Sequence, residues 1–163
     1  MASSSDRPPN FHADAVAIGQ IGVAASGVLR TFVGSCVALI LQDRRRGIAA
    51  LAHVMLPASN DAAAPPGKCA DTAVPEMLRL LARCAGQSPA CTAKLVGGAK
   101  MFAFGTGTPI GAQNVTALEA ALGAAGIPIM ARDCGGDCGR RVTVDVATGV
   151  VTVETVGRGT LTI

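Results

Sequence analysis

Two uninterrupted apolar runs, residues 37–41 and 48–52, stand on either side of a break containing Asp43-Arg44-Arg45-Arg46-Gly47. Runs of this length, ending at a charged and glycine-terminated break, read as the two arms of a β-hairpin. A hairpin dictates which residues face each other. With Arg44 and Arg45 at the centre of the turn, Asp43 faces Arg46, Leu41 faces Ile48 and, counting on, Cys36 faces His53. Directly opposed residues of an antiparallel pair hold their Cβ atoms roughly 4.5–5.5 Å apart, close enough for an imidazole to reach a thiol. A four-residue loop is expected to keep that register. An odd loop without a compensating bulge puts the two side chains on opposite faces.

A thiol is a weak nucleophile until its proton leaves, and a neighbouring imidazole can take that proton. Gly34 and Ser35 immediately precede Cys36. Gly34 permits tight backbone curvature, and N–H groups in that turn can face a developing oxyanion. Thr31, a little upstream, can hydrogen-bond the imidazole and fix its tautomer. Nucleophile, base and orienter are the parts of acyl-transfer chemistry. The plainer alternative is that Cys36 is a core residue on an apolar strand, a common place for a free cysteine.

Further blocks follow in order along the chain. They are Ala52-His53-Val54-Met55-Leu56-Pro57, Lys68-Cys69-Ala70-Asp71-Thr72-Ala73-Val74-Pro75 and Ala93-Lys94-Leu95-Val96-Gly97-Gly98-Ala99-Lys100-Met101-Phe102. Ile110-Gly111-Ala112-Gln113-Asn114-Val115 and Asp133-Cys134-Gly135-Gly136-Asp137-Cys138-Gly139-Arg140-Arg141 come next, then Thr148-Gly149-Val150-Val151. With Thr31 and Gly34-Ser35-Cys36-Val37-Ala38, these blocks resemble the CheD family, the chemoreceptor glutamine deamidases of bacterial chemotaxis.

The resemblance implies that Cys36 is the nucleophile, His53 its base and Thr31 the third member. It implies hydrolysis of a receptor glutamine amide, or of a glutamyl methyl ester, without a cofactor. The substrate is then the cytoplasmic helices of a methyl-accepting chemoreceptor, and a CheC-type phosphatase is a further partner. An adaptor that binds such partners without catalysis is the alternative; the intact Cys36, His53 and Gly34-Ser35 turn favour the enzyme.

At 163 residues the chain suits a single domain over residues 15–163, preceded by a flexible tail over residues 1–14. Half of the residues are hydrophobic but only 2% are aromatic, so the core has to be aliphatic. That scarcity also leaves few rings to stack bases, which argues against nucleic acid as a partner. No apolar stretch is long enough to span a membrane. The first ten residues lack the apolar segment of a signal peptide, which points to the cytoplasm, where thiols stay reduced. Cys134 and Cys138 share a glycine-rich loop. Zinc needs two more ligands, and His12 lies in the tail, so no metal is expected. A redox pair and plain exposed thiols both remain open for these two.

Residues 15–25 read as an entry strand or two, and residues 58–67 as a surface loop able to wall the site. Val74, Met77, Leu78, Leu81 and Cys84 mark the inner face of a helix over residues 71–85, capped by Asp71 or Thr72. A strand over residues 91–99 follows. Residues 105–111 form a glycine-rich stretch without the spacing of a phosphate loop, and read as a tight turn or a cleft wall. The second helix is expected to be capped by Asn114. After a strand over residues 127–131, residues 141–146 and 150–156 alternate around Thr148-Gly149 as a second hairpin. The sum is an α/β (α+β) fold: a layered sandwich of mixed, largely antiparallel β-sheet with two main helices packed outside.

Overall fold

The computed structural model describes residues 15–102 and 105–163. The chain runs β1 (Ile21–Ala24), β2 (Val28–Val33), β3 (Val37–Asp43), β4 (Ile48–Val54), a 3₁₀ turn (Pro66–Lys68) and α1 (Ala70–Ala85). It continues with β5 (Thr92–Gly97), α2 (Ile110–Ala124), β6 (Ile129–Cys134), β7 (Arg140–Asp145), β8 (Val151–Thr155) and β9 (Gly159–Thr162). One sheet has the order β1-β4-β3-β5-β6 and is antiparallel except for the parallel β5–β6 pair. The other, β2-β7-β8-β9, is wholly antiparallel.

Every residue of β3 and β4 is buried, which explains why these segments are apolar without alternation: both faces of the central strands are covered. Val37, Leu39 and Leu41 join Ala50, Ala52 and Val54 against Val74, Met77 and Leu81 of α1 and Leu118 and Leu122 of α2. The alternate residues Ala38, Ile40, Ala49 and Leu51 pack against Leu29, Val33, Val142, Val144, Val151 and Val153 of the second sheet. The molecule is therefore layered as helices, sheet, sheet, with the helices outside as expected. Among the described residues the buried hydrophobics are aliphatic, alanine, methionine and cysteine, while Phe32 and Phe102 lie exposed.

Several expectations need correction. The hairpin loop holds four residues, because Asp43 pairs with Ile48. The Asp43 carboxylate accepts the backbone N–H of Arg46 and that of Ala90 and pairs with the Arg46 guanidinium, closing the wider turn. The register is therefore displaced by two residues: His53 faces Ala38, and Cys36 lies just before β3 instead of opposite His53. A displacement of two keeps the parity, so Cys36 stays on the His53 side. The segment holding Thr31 is a separate strand, β2, paired with β7 in the second sheet.

Neither Asp71 nor Thr72 caps α1, whose cap residue is Cys69. Asp71 instead accepts the Ser59 N–H, and the Thr72 hydroxyl donates to the Pro66 carbonyl. Cys84 is exposed, and Ala85 takes the inward position at that end of the helix. Helix α2 is capped by Pro109, and Asn114 lies inside it. The tail over residues 1–14, with His12, lies outside the described residues.

Candidate active site

Alternation along β4 turns Leu51 and His53 toward the second sheet. Across from them, β2 turns Leu29, Thr31 and Val33 inward and leaves Arg30 and Phe32 outside. His53 and Thr31 are both buried, and they meet: Thr31 Oγ1 is 2.7 Å from His53 Nδ1. The same hydroxyl lies 2.8 Å from the Val16 carbonyl, which can only accept. Thr31 has one proton and gives it to Val16. Its oxygen must then accept Nδ1–H, which leaves Nε2 with a free lone pair, the form a general base requires.

Burial pushes the His53 pKa below the ordinary imidazole value, and the nearby Val16 carbonyl partly offsets this. Burial likewise pushes the Cys36 thiol up. Both groups are thus held toward their neutral forms. Cys36 is half-buried and packs against the core between the sheets, the one to which Ala38 and Ile40 also belong. Cys36 and His53 share a face at one end of the sheet, and no hydrogen bond joins them among those of the described residues.

The turn carrying Cys36 is pinned carbonyl by carbonyl. Gly34 accepts the Ala99 N–H and Cys36 accepts the Gly98 N–H, each at 2.9 Å. The Ser35 carbonyl accepts Asn114 Nδ2 at 3.2 Å, and the same amide reaches the Met55 carbonyl at 3.1 Å. Residues 34–36 bend as expected, but Gly34 does so without a positive φ. A Cβ there would press on Met101, at 3.1 Å from its Cγ. Close approach matters more at Gly98 and Gly111. A Cβ on Gly111 would lie 2.5 Å from the Gly98 carbonyl carbon, and one on Gly98 would lie 2.8 Å from the Gly111 oxygen. Helix α2 therefore docks backbone to backbone on the chain just beyond β5.

Beside Ser35 opens a cavity of about 260 Å³, walled by residues 99–102 and 105–111. The glycine-rich stretch is thus a cleft wall. No residue of the loop over residues 58–67 lines that cavity, and Ser59 of that loop donates to Asp71. Three features escaped the sequence reading: the Gly98–Gly111 contact, the pinning by Ala99 and the clasp by Asn114. Their residues stand in the Gly97-Gly98 and Ile110-Gly111 blocks, where paired glycines signal close backbone approach.

Elsewhere, Cys134 is partly buried, with its thiol pushed up to about 11 by burial, and it donates to the Leu95 carbonyl. Cys138 lies against the Asp137 carboxylate. Among the described residues no group of three or more His, Cys, Asp or Glu could hold a metal ion. None of their helices is long and apolar enough to cross a membrane.

Comparison with known proteins follows the same line. The family model for CheD, chemotactic sensory transduction, matches residues 55–155. A protein of Methanococcus maripaludis strain C6, named a probable chemoreceptor glutamine deamidase CheD, is 43% identical over 142 residues, covering 85% of this chain and 92% of its own. The chemoreceptor glutamine deamidase CheD of Thermotoga maritima is 40% identical over 146 residues, covering 88% of this chain and 92% of its own. A Symbiobacterium thermophilum relative bearing the name given to the Methanococcus protein is 40% identical over 155 residues, covering 90% and 94%. Matches of this extent and identity place the chain in the CheD family.

Proposed function

We propose that this chain is a cysteine-dependent amide hydrolase that converts chemoreceptor glutamines to glutamates, with Cys36 as nucleophile, His53 as base and Thr31 as orienter. The observation that carries the site assignment is the Thr31–His53 contact at 2.7 Å with the hydroxyl proton already committed to Val16. It leaves His53 in the one neutral tautomer whose Nε2 can take a proton. The reaction class rests on the relatives, which are named as deamidases.

Because both groups rest neutral, the proton moves during attack and not before it. The Cys36 thiol passes its proton to His53 Nε2 as the sulfur bonds to the glutamine δ-carbon. The carbonyl oxygen becomes an oxyanion, for which the backbone N–H groups of the Gly34-Ser35-Cys36 turn are the proposed donors. As the tetrahedral species collapses, the C–N bond breaks and His53 returns its proton, so ammonia leaves. A water molecule then gives a proton to His53 and attacks the thioester. The C–S bond breaks, the proton returns to sulfur, and glutamate is released. A glutamyl methyl ester follows the same steps with methanol leaving.

The chemistry uses a free thiol and the substrate is a receptor's cytoplasmic helix, so the chain works in the cytoplasm. Residues 15–163 act as one catalytic domain. The family resemblance also supports a CheC-type phosphatase as a binding partner, which co-purification with that protein tests. The deciding experiment is peptide mass spectrometry of a chemoreceptor cytoplasmic fragment after incubation with wild type or Cys36→Ala. Glutamine-to-glutamate conversion by wild type alone is expected. Conversion by both removes Cys36 from the mechanism, and conversion by neither favours an adaptor.

A further inference from the structure

We propose that Asn114 is a positioning residue, whose amide sets the Cys36 turn against the strand end that carries His53. The proposal rests on the assignment of Cys36 and His53 as nucleophile and base. Asn114 is fully buried in the second turn of α2. Its Nδ2 donates to the carbonyl of Ser35, directly before Cys36, and to that of Met55, shortly after His53. One side chain therefore ties both arms of the candidate pair to a single rigid helix.

Helix stability does not explain this residue. Asparagine is a poor residue for a helix interior, and Leu118 and Leu122 show what the inward face of α2 otherwise uses. The Asn114 Oδ1 is buried with no hydrogen-bond partner among the described residues, a destabilising arrangement. The two donated hydrogen bonds are what the amide supplies and a leucine cannot. The same helix also reaches the cavity: Ile110 and Gly111 line it, and the Gln113 amide donates to the carbonyl of Thr108, another lining residue. A displacement of about 1 Å between reacting groups costs on the order of 100-fold in rate, so a clasp between the two arms bears directly on turnover.

The test compares Asn114→Ala, Asn114→Asp and Leu118→Ala with wild type, His53→Ala and Cys36→Ala. Asn114→Asp keeps the shape and replaces the donor with oxygen. Turnover on a chemoreceptor cytoplasmic fragment gives kcat and KM. Iodoacetamide labelling of Cys36 across pH, followed by peptide mass spectrometry, reports the pair without substrate. Wild type is expected to show an inflection from His53 that is missing in His53→Ala. Both Asn114 variants are expected to lose that inflection and about 100-fold in kcat, with KM within about threefold. Leu118→Ala is expected to lower the melting temperature while keeping both.

Asn114 variants that melt earlier but keep the inflection and kcat overturn the proposal, since the role is then structural. So does a Leu118→Ala variant that loses the inflection and about 100-fold in kcat, or both Asn114 variants failing to fold while Leu118→Ala folds. Full turnover by Cys36→Ala removes the underlying assignment instead, an outcome distinct from an inactive Cys36→Ala beside fully active Asn114 variants.

Discussion

The two faces of the central β3–β4 pair are built from alternate residues of the same strands, yet they differ in kind. The helix-facing side is uniformly apolar: Val37, Leu39, Leu41, Ala50, Ala52 and Val54. The side facing the second sheet is apolar along most of its length, with Ala38, Ile40, Ala49 and Leu51, and at one end it meets Cys36, His53 and Thr31. Stability and candidate chemistry are thus separated by a single residue step. The polar end tolerates burial because Thr31, His53 and Val16 satisfy one another.

That contrast can be broken by substitution on either side. Cys36→Ala is expected to abolish deamidation and to change stability by less than about 1 kcal/mol, as for the loss of one small half-buried group; assay and thermal melt together check it. Leu39→Ala, on the opposite face, is expected to cost about 2–5 kcal/mol of stability while turnover per folded molecule is unchanged. A Leu39→Ala enzyme that is stable but inactive would show that the faces are not independent. Thr31→Val should keep the fold and lower kcat by roughly tenfold, about 1.4 kcal/mol, because Nδ1–H loses its acceptor and the tautomer is no longer held. A loss as deep as that of Cys36→Ala would make Thr31 more than an orienter.

The pH dependence sharpens the comparison further. His53 has a lowered pKa in the folded state, so the unfolded chain binds more protons and stability rises with pH across this range. Its contribution is full above about 6.5 and fades as pH falls through the folded value. Cys36, Cys91 and Cys134 are raised, the last two to about 11, so their contribution is full below about 8.5 and fades as pH rises. Chemical denaturation across pH should show a plateau between these limits. The acid shoulder should be smaller in His53→Ala, and an unchanged shoulder would assign it to the carboxylates.

Local pattern made much of this legible. The apolar runs of β3 and β4, the inner stripe Val74, Met77 and Leu81, and the Thr148-Gly149 hairpin all follow from spacing within a short window. What escaped depended on distant partners. The hairpin register turned on Ala90, whose N–H helps hold Asp43 from far along the chain. The placement of Thr31 turned on the pairing of β2 with β7. Asn114 matched the preference of asparagine for helix starts, whereas its position reflects two carbonyls in remote segments. Cys84 and Ala85 both suit a helical stripe, and only packing decides between them.

The contact between Gly98 and Gly111 has a consequence for how this protein can change over generations. At Gly98 and Gly111 backbone meets backbone with the Val115 side chain packed alongside, so the joint has little room to drift. Residues 99–102 and 105–109, between those two glycines, include most of the cavity wall. Selection can therefore rewrite the cavity wall while the cysteine turn and the histidine strand stay where they are.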